Sequence, residues 1–163
     1  MDKGQYGRRD RLVQEKRHDT YKEDKKWPEP TVCTQCNSVY LEGRWTWYEP
    51  PVKANKVLCP ACQRIADNYP AGHLEIKGSF FPKHQEEMLN LIRNEEEQEK
   101  SEHPLERIMD ISEEDENTLI TTTGIHIARR IGEAVSRAYQ GDLSFTYGDG
   151  EKTIRVFWSR EYP

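Results

Sequence analysis

Hydrophobic and polar positions alternate in two stretches of this chain and recur with helical spacing in three others. The first thirty residues do neither. In TVCTQCNSVY, short apolar runs flank a turn-forming centre, which predicts strand–turn–strand. In GRWTWYEPP, Arg44, Thr46 and Tyr48 alternate with Trp45 and Trp47, predicting a further strand that Pro50 and Pro51 stop. VLCPACQRIADNYPAG then places Pro60 where a helix tolerates proline, in its first turn. Pro70 and Gly72 end that helix. HLEIKGSFF predicts a short strand.

The next segment, PKHQEEMLNLIRNEEEQEKSEH, is a helix with one narrow apolar strip of Met88, Leu89 and Ile92, ended by Pro104. Its second half is almost wholly charged, as expected of a helix running out into solvent. LERIMDI and NTLITTT predict two strands around the acidic turn SEEDEN. GIHIARRIGEAVSRAYQ predicts an amphipathic helix. Ile127, Ile131, Val135 and Ala138 form its stripe, widened by Ala128 and Tyr139, with Thr122 or Thr123 as N-cap and Gly141 as terminator. In DLSFTYGDGEKTIRVFWS, Leu143, Phe145 and Tyr147 alternate, as do Ile154, Val156 and Trp158. With the Gly148-Asp149-Gly150 turn, that predicts a hairpin. The chain holds no internal repeat.

Together these patterns predict an α+β protein in four parts. A flexible basic arm covers 1–30. A zinc-binding module of treble-clef or ribbon-like form covers 31–78. A helical acidic spacer covers 79–106, and an α+β domain of β-β-α-β-β order covers 107–163.

Composition explains why a stapling device is expected. Of the 163 residues, 34% are hydrophobic and 33% charged, too few apolar side chains for one large core. No apolar run reaches the roughly 20 residues of a membrane span, and the N-terminus has no apolar signal core. A cytoplasmic location follows as the expectation, and a reducing compartment disfavours structural disulfides. The net charge of −5 is unevenly placed. Residues 83–117 carry four Lys/Arg against thirteen Asp/Glu, while every other part is mildly basic. The acidic total therefore does not exclude an anionic partner.

Cys33-x2-Cys36 and Cys59-x2-Cys62 stand twenty-two residues apart. Each pair closes a tight knuckle that aims two sulfurs at one point, and two knuckles complete four thiolates for tetrahedral Zn²⁺. Such a site is closed to water and structural. Cys59-Pro-Ala-Cys62 also has the form of a redox dithiol, but that motif follows a central strand of a β-α-β unit, and a second C-x2-C would be left without a role. An iron–sulfur centre could use the same four thiolates.

The histidines, His18, His73, His84, His103 and His126, are not at ligand spacing. The sequence has no nucleotide-binding glycine motif and no metalloprotease motif, so no enzyme is expected. Candidate phosphate contacts are Arg8, Arg9, Arg11, Lys16 and Arg17 in the arm, and Arg129, Arg130 and Arg137 on the polar side of the last helix. Arg155 and Phe157 share the outward register of the hairpin.

The segments PTVCTQCNSVY, VLCPACQRI, HPLERI and TTTGIHIARRIGEAVSRAYQGDL resemble a family of short bacterial zinc-motif proteins over most of the chain. The C-terminal part is also similar to a segment of the archaeal and eukaryotic adaptors that bind the large ribosomal subunit and support its nuclear export. Those adaptors are longer and carry more C-x2-C pairs, so export does not carry over. The resemblance implies structural zinc on Cys33, Cys36, Cys59 and Cys62 and no catalytic residue. The expected partner is RNA or a ribosomal particle. The alternative is a protein partner held by the acidic helix or by the zinc hairpin with Trp45, Trp47 and Tyr48. A thiol oxidoreductase is the third reading. No small-molecule substrate and no membrane attachment are expected.

Overall fold

A computed structural model describes residues 26–114, 117–148 and 150–163. The chain divides into two compact units, Met1–Arg64 and Ile65–Pro163. Each has its own sheet, so the protein is mixed α+β.

The first unit holds four three-residue strands: β1 (Thr31–Cys33), β2 (Val39–Leu41), β3 (Arg44–Thr46) and β4 (Asn55–Val57). Their order is β3-β2-β1-β4, antiparallel except for the parallel β1–β4 pair. Two residues, Glu42 (φ 54°) and Gly43 (φ 80°), join β2 to β3, both in the left-handed region that a two-residue hairpin needs. Glutamate is an unusual residue there. The Glu29 carboxylate holds the turn by accepting from the backbone N–H of Glu42 (2.8 Å) and of Gly43 (3.2 Å). Among the described residues, Val32, Val39, Tyr40 and Trp45 are the buried hydrophobic side chains of this unit outside the cysteines and their helix. Tyr40 and Trp45 meet edge to face at 5.5 Å, and Trp27 packs on Trp45 at 5.8 Å.

The expected arm boundary at residue 30 therefore falls too late. Trp27 joins the core, and the carbonyl oxygens of Pro28 and Pro30 accept from Thr31 Oγ1 and from the Asn55 backbone. The arm residues Arg8, Arg9, Arg11, Lys16 and Arg17 lie outside the described residues. The strand expected through Tyr48 stops at Thr46. That hydroxyl donates to the Val39 carbonyl (2.9 Å) and accepts from the Tyr48 N–H (3.3 Å), which turns the chain out of the sheet. Helix α1 (Pro60–Asp67) begins at Pro60 as expected.

In the second unit, β5 (Gly72–Lys77) precedes helices α2 (Phe80–Lys83) and α3 (Gln85–Glu102). Strands β6 (Ile108–Glu114) and β7 (Asn117–Thr122) come next, then α4 (Ile125–Tyr139), β8 (Asp142–Gly148) and β9 (Thr153–Ser159). The sheet order is β6-β7-β5-β9-β8. Strand β5, assigned by local sequence to the zinc module, is the central strand. It runs antiparallel to β7 and parallel to β9, whose residues lie eighty positions further on and leave no trace in a local pattern.

The helices cover one face of this sheet. Leu74, Ile76, Ile120, Ile154, Val156 and Trp158 meet Ile127, Ile131 and Val135 of α4 and Met88 and Ile92 of α3. The helix expected to reach into solvent is instead docked. Met88 and Ile92 are wholly buried, and Glu95 and Glu99 lie against Arg130 of α4. Its charged half reads as a solvated face because its partner is a cation on another helix. Ala138, expected in the buried stripe of α4, is exposed. In the β8–β9 loop Gly150 of the expected turn has a left-handed backbone (φ 64°), as does Glu151 after it (φ 66°); Asp149 lies outside the described residues. Among the described residues, no helix is long and apolar enough to cross a membrane.

The cap of α4 also differs from the expected threonine. The N-cap position is Gly124, with extended backbone, and the capping group comes from far away in sequence. Glu106, 2% exposed, accepts from the Ile127 N–H at 2.9 Å. A Cβ at Gly124 would collide with both carboxylate oxygens of Glu106, so a larger residue there would displace the capping carboxylate. Thr122 and Thr123 serve the loop instead, donating to the carbonyls of Gly124 (2.7 Å) and Leu105 (2.6 Å). A buried carboxylate on orphan helix N–H groups gains from charge-assisted bonding and from the helix dipole. Glu106→Ala should therefore cost about 1–3 kcal/mol in urea unfolding of the second unit, and Gly124→Ala a comparable amount. Unchanged midpoints would contradict the cap.

Candidate metal centre

The chain makes each knuckle by turning back on its own backbone. After β1, the Asn37 N–H donates to the Cys33 carbonyl (3.0 Å), and the Cys33 N–H donates to the Ser38 carbonyl (2.8 Å). Asn37 takes φ 68° in this turn, a conformation asparagine tolerates better than most residues. In the second knuckle, Cys59 stands just before α1, and its carbonyl accepts the Gln63 N–H at 2.9 Å. Cys62 lies in the first turn of that helix, where the positive end of the dipole favours thiolate. The parallel pairing Cys33↔Val57 brings the two knuckles to the same end of the sheet.

The sulfurs of Cys33, Cys36, Cys59 and Cys62 all lie within 4.8 Å of one another. No disulfide joins them, and Cys36 and Cys59 are 3.8 Å apart. Backbone N–H groups point at the sulfurs: Gln35 and Cys59 donate to Cys33 Sγ (3.4 and 3.3 Å), and Cys62 donates to Cys59 Sγ (3.4 Å). Cys33, Cys59 and Cys62 are buried, whereas Cys36 is half-buried.

The electrostatics of the cluster are unequal. The Cys33 and Cys59 thiols, with the Ser38 hydroxyl, hold the Cys36 thiol pKa well below its ordinary value. Cys59 is pushed the other way, first by its bond to Cys33, then by its bond to Cys36 and by burial. Four sulfurs this close cannot all ionise unless a cation neutralises them. The four-cysteine cluster can hold a metal ion, and it is the one such group of ligand side chains found among the described residues. Ser38, fully buried with its hydroxyl 3.1 Å from Cys36 Sγ, is a member of the site that sequence spacing missed. The signal for it was present, since a small hydroxyl residue two positions after the knuckle cysteine can turn back to the sulfur.

The candidate phosphate contacts of α4 do not act as one free basic face. Arg130 donates to Glu95 (2.7 Å), Glu99 (2.9 Å) and Gln98 (2.9 Å). Glu95 and then Glu99 raise its already high pKa. Arg129 bonds Glu133 (3.1 Å) and the Tyr147 hydroxyl (2.7 Å) and lies 5.0 Å from the Phe145 ring centroid. Arg137 is exposed. On the uncovered face of the sheet, Arg155 is exposed beside His73, whose pKa is lowered by burial and by Arg155.

No family model, no curated protein and no solved structure matches this chain.

Burial grades the four ligands. Cys59→Ser removes a fully enclosed sulfur and should abolish tight metal retention. Cys36→Ser, at the half-exposed corner, should leave weaker, measurable binding. Titration with a chromophoric chelator checks the order; equal affinities for both variants and the wild type would contradict a four-sulfur site.

Proposed function

We propose that this is a structural-zinc protein of the reducing cytoplasm that docks on RNA or a ribosomal particle and catalyses no reaction. The observation that carries the zinc assignment is the sulfur geometry. Zn–S bonds of about 2.3 Å in a tetrahedron place the sulfurs about 3.8 Å apart, and the Cys36–Cys59 separation is 3.8 Å. The N–H groups aimed at sulfur suit thiolates better than thiols. Zinc held by four thiolates has no open position for water or substrate, so its contribution is to folding. A dithiol oxidoreductase would need Cys59 and Cys62 free of that metal.

The RNA direction rests on the resemblance to ribosome-binding adaptors and on the placing of cations. Arg130 is compensated by Glu95 and Glu99, and Arg129 is bonded to Glu133 and Tyr147, while Arg93, Arg137 and Arg155 are exposed arginines of the second unit for phosphate contact. The arm, with Arg8, Arg9, Arg11, Lys16 and Arg17, supplies the larger basic cluster. A protein–protein adaptor is the second reading, favoured by Val52, which is 102% exposed at a loop tip. Nuclease treatment before affinity recovery separates the two, because an RNA-mediated association is lost.

If phosphates carry the affinity, log K for single-stranded RNA should fall with log salt at about −0.7 per phosphate contact. Removing residues 1–25 should flatten that slope by several contacts. Fluorescence anisotropy between low and moderate salt measures both. Absence of binding at low salt would end the RNA reading.

A further inference from the structure

An open sheet leaves two edge strands whose outer N–H and C=O groups lack a ladder partner, and a folded chain must either blunt such an edge or use it. In the five-stranded sheet the edges are β6 and β8. Strand β6 is blunted. It carries Asp110, Glu113 and Glu114, all exposed, and its pairing with β7 shifts register between Ile108 and Asp110. Strand β8 has neither device. Its register with β9 runs unbroken from Asp142↔Ser159 to Gly148↔Thr153. From Leu143 to Gly148 it holds no charge and no proline. Among the described residues, no strand lies beyond it.

The side chains of β8 are already ordered. Leu143, Phe145 and Tyr147 lie on the helix side of the sheet. A Cβ at Gly132 of α4 would meet Leu143 and Phe145, and Arg129 donates to the Tyr147 hydroxyl (2.7 Å) while standing 5.0 Å from the Phe145 ring centroid. Ser144 and Thr146 are exposed on the uncovered side. The order of residue types is symmetric about Phe145. An antiparallel copy aligned there would set Phe145 against Phe145, Leu143 against Tyr147, Ser144 against Thr146 and Asp142 against Gly148. These are aromatic, aromatic–aliphatic and hydroxyl pairs, which stabilise cross-strand neighbours, and no like charges meet. The ladder would add about seven main-chain hydrogen bonds. Another extended protein segment could use the same N–H and C=O groups, but the twofold match of side chains selects a second copy.

We infer that β8 is a dimerisation edge, at which two copies of this chain join β8 to β8 antiparallel about Phe145 and so continue one sheet into the other. The inference concerns the second unit and is independent of the zinc and RNA readings. A twofold axis through Phe145, perpendicular to the sheet, puts α4 of both copies on the same side of the joined sheet. It also removes the one unprotected edge of the second unit.

The test uses the full, zinc-loaded chain, freed of nucleic acid, in sedimentation equilibrium between about 1 and 100 μM, where it should pass from monomer toward dimer. Ser144→Glu with Thr146→Glu sets carboxylates opposite one another across the axis and should raise the dissociation constant roughly tenfold. Both positions are exposed, and Arg155, the register partner of Thr146 within the chain, suits the added charge, so the fold should persist. Circular dichroism checks that. Ser144→Lys with Thr146→Lys should weaken the dimer likewise, and an equimolar mixture of the two double variants should form a heterodimer at least as tight as the wild-type dimer. In the wild type, amide exchange over residues 142–148 should slow as concentration rises, while exchange in β6 stays constant. That pattern decides the case if the double variants misfold. A chain that stays monomeric throughout overturns the inference. So does a dimer untouched by either double variant, or one whose concentration-dependent protection lies outside β8. A monomer whose β8 gains protection only when a purified protein partner is added shows that the edge serves that partner, which also overturns self-pairing.

Discussion

Four sulfurs within 4.8 Å of one another are the constraint on which the first unit depends. As free thiolates they repel, and as thiols they bury weak donors in a site lined with backbone N–H groups. A cation at their centre would make that arrangement favourable. The rest of the unit is arranged around it. The strands are three residues long, and the buried side chains beyond the cysteines are few. Roughly forty residues is the size at which a polypeptide ordinarily needs a metal or disulfides to fold alone. The Glu29 carboxylate on the Glu42–Gly43 turn and the Trp27–Trp45 contact add local order. Neither supplies the driving force that four metal–sulfur bonds would.

The second unit solves the same shortage of apolar residues differently. It buries one side of a five-stranded sheet under two helices and secures the helices with charge. Glu106 caps α4, and Arg130 ties α4 to Glu95 and Glu99 of α3. These bonds explain two features that composition alone presents as surplus: the acidity of residues 83–117 and the arginine pair of the last helix. Part of each neutralises the other. Exposed cations outside that network include Arg93, Arg137 and Arg155 of the second unit and Lys53 and Lys56 of the first.

Much of this was legible in the sequence where the signal is local. The C-x2-C spacing announced the meeting of four cysteines, because a knuckle is encoded in consecutive residues. The alternation around residues 143–158 announced the hairpin, and the period of residues 127–135 announced α4. What was not legible depends on partners far apart. Strand β5 reads as a neighbour of the zinc module, yet its place is between β7 and β9. Glu106 reads as one more acid of a charge run, although it lies under a helix that begins nineteen residues later. Thr46 looks like an ordinary strand residue, but its side-chain bonds stop the strand and turn Trp47 outward. In each case a single side chain settles what a pattern of types leaves open.

The central claim is that a metal on Cys33, Cys36, Cys59 and Cys62 holds the first unit together while the second has a core of its own. Hydrogen exchange, followed by mass spectrometry before and after chelation, tests it most directly. The account predicts one zinc per chain, rapid exchange in β1 to β4 once the metal is removed, and unchanged protection in β5, β7 and β9. Full protection of β1 to β4 in the metal-free protein would contradict it.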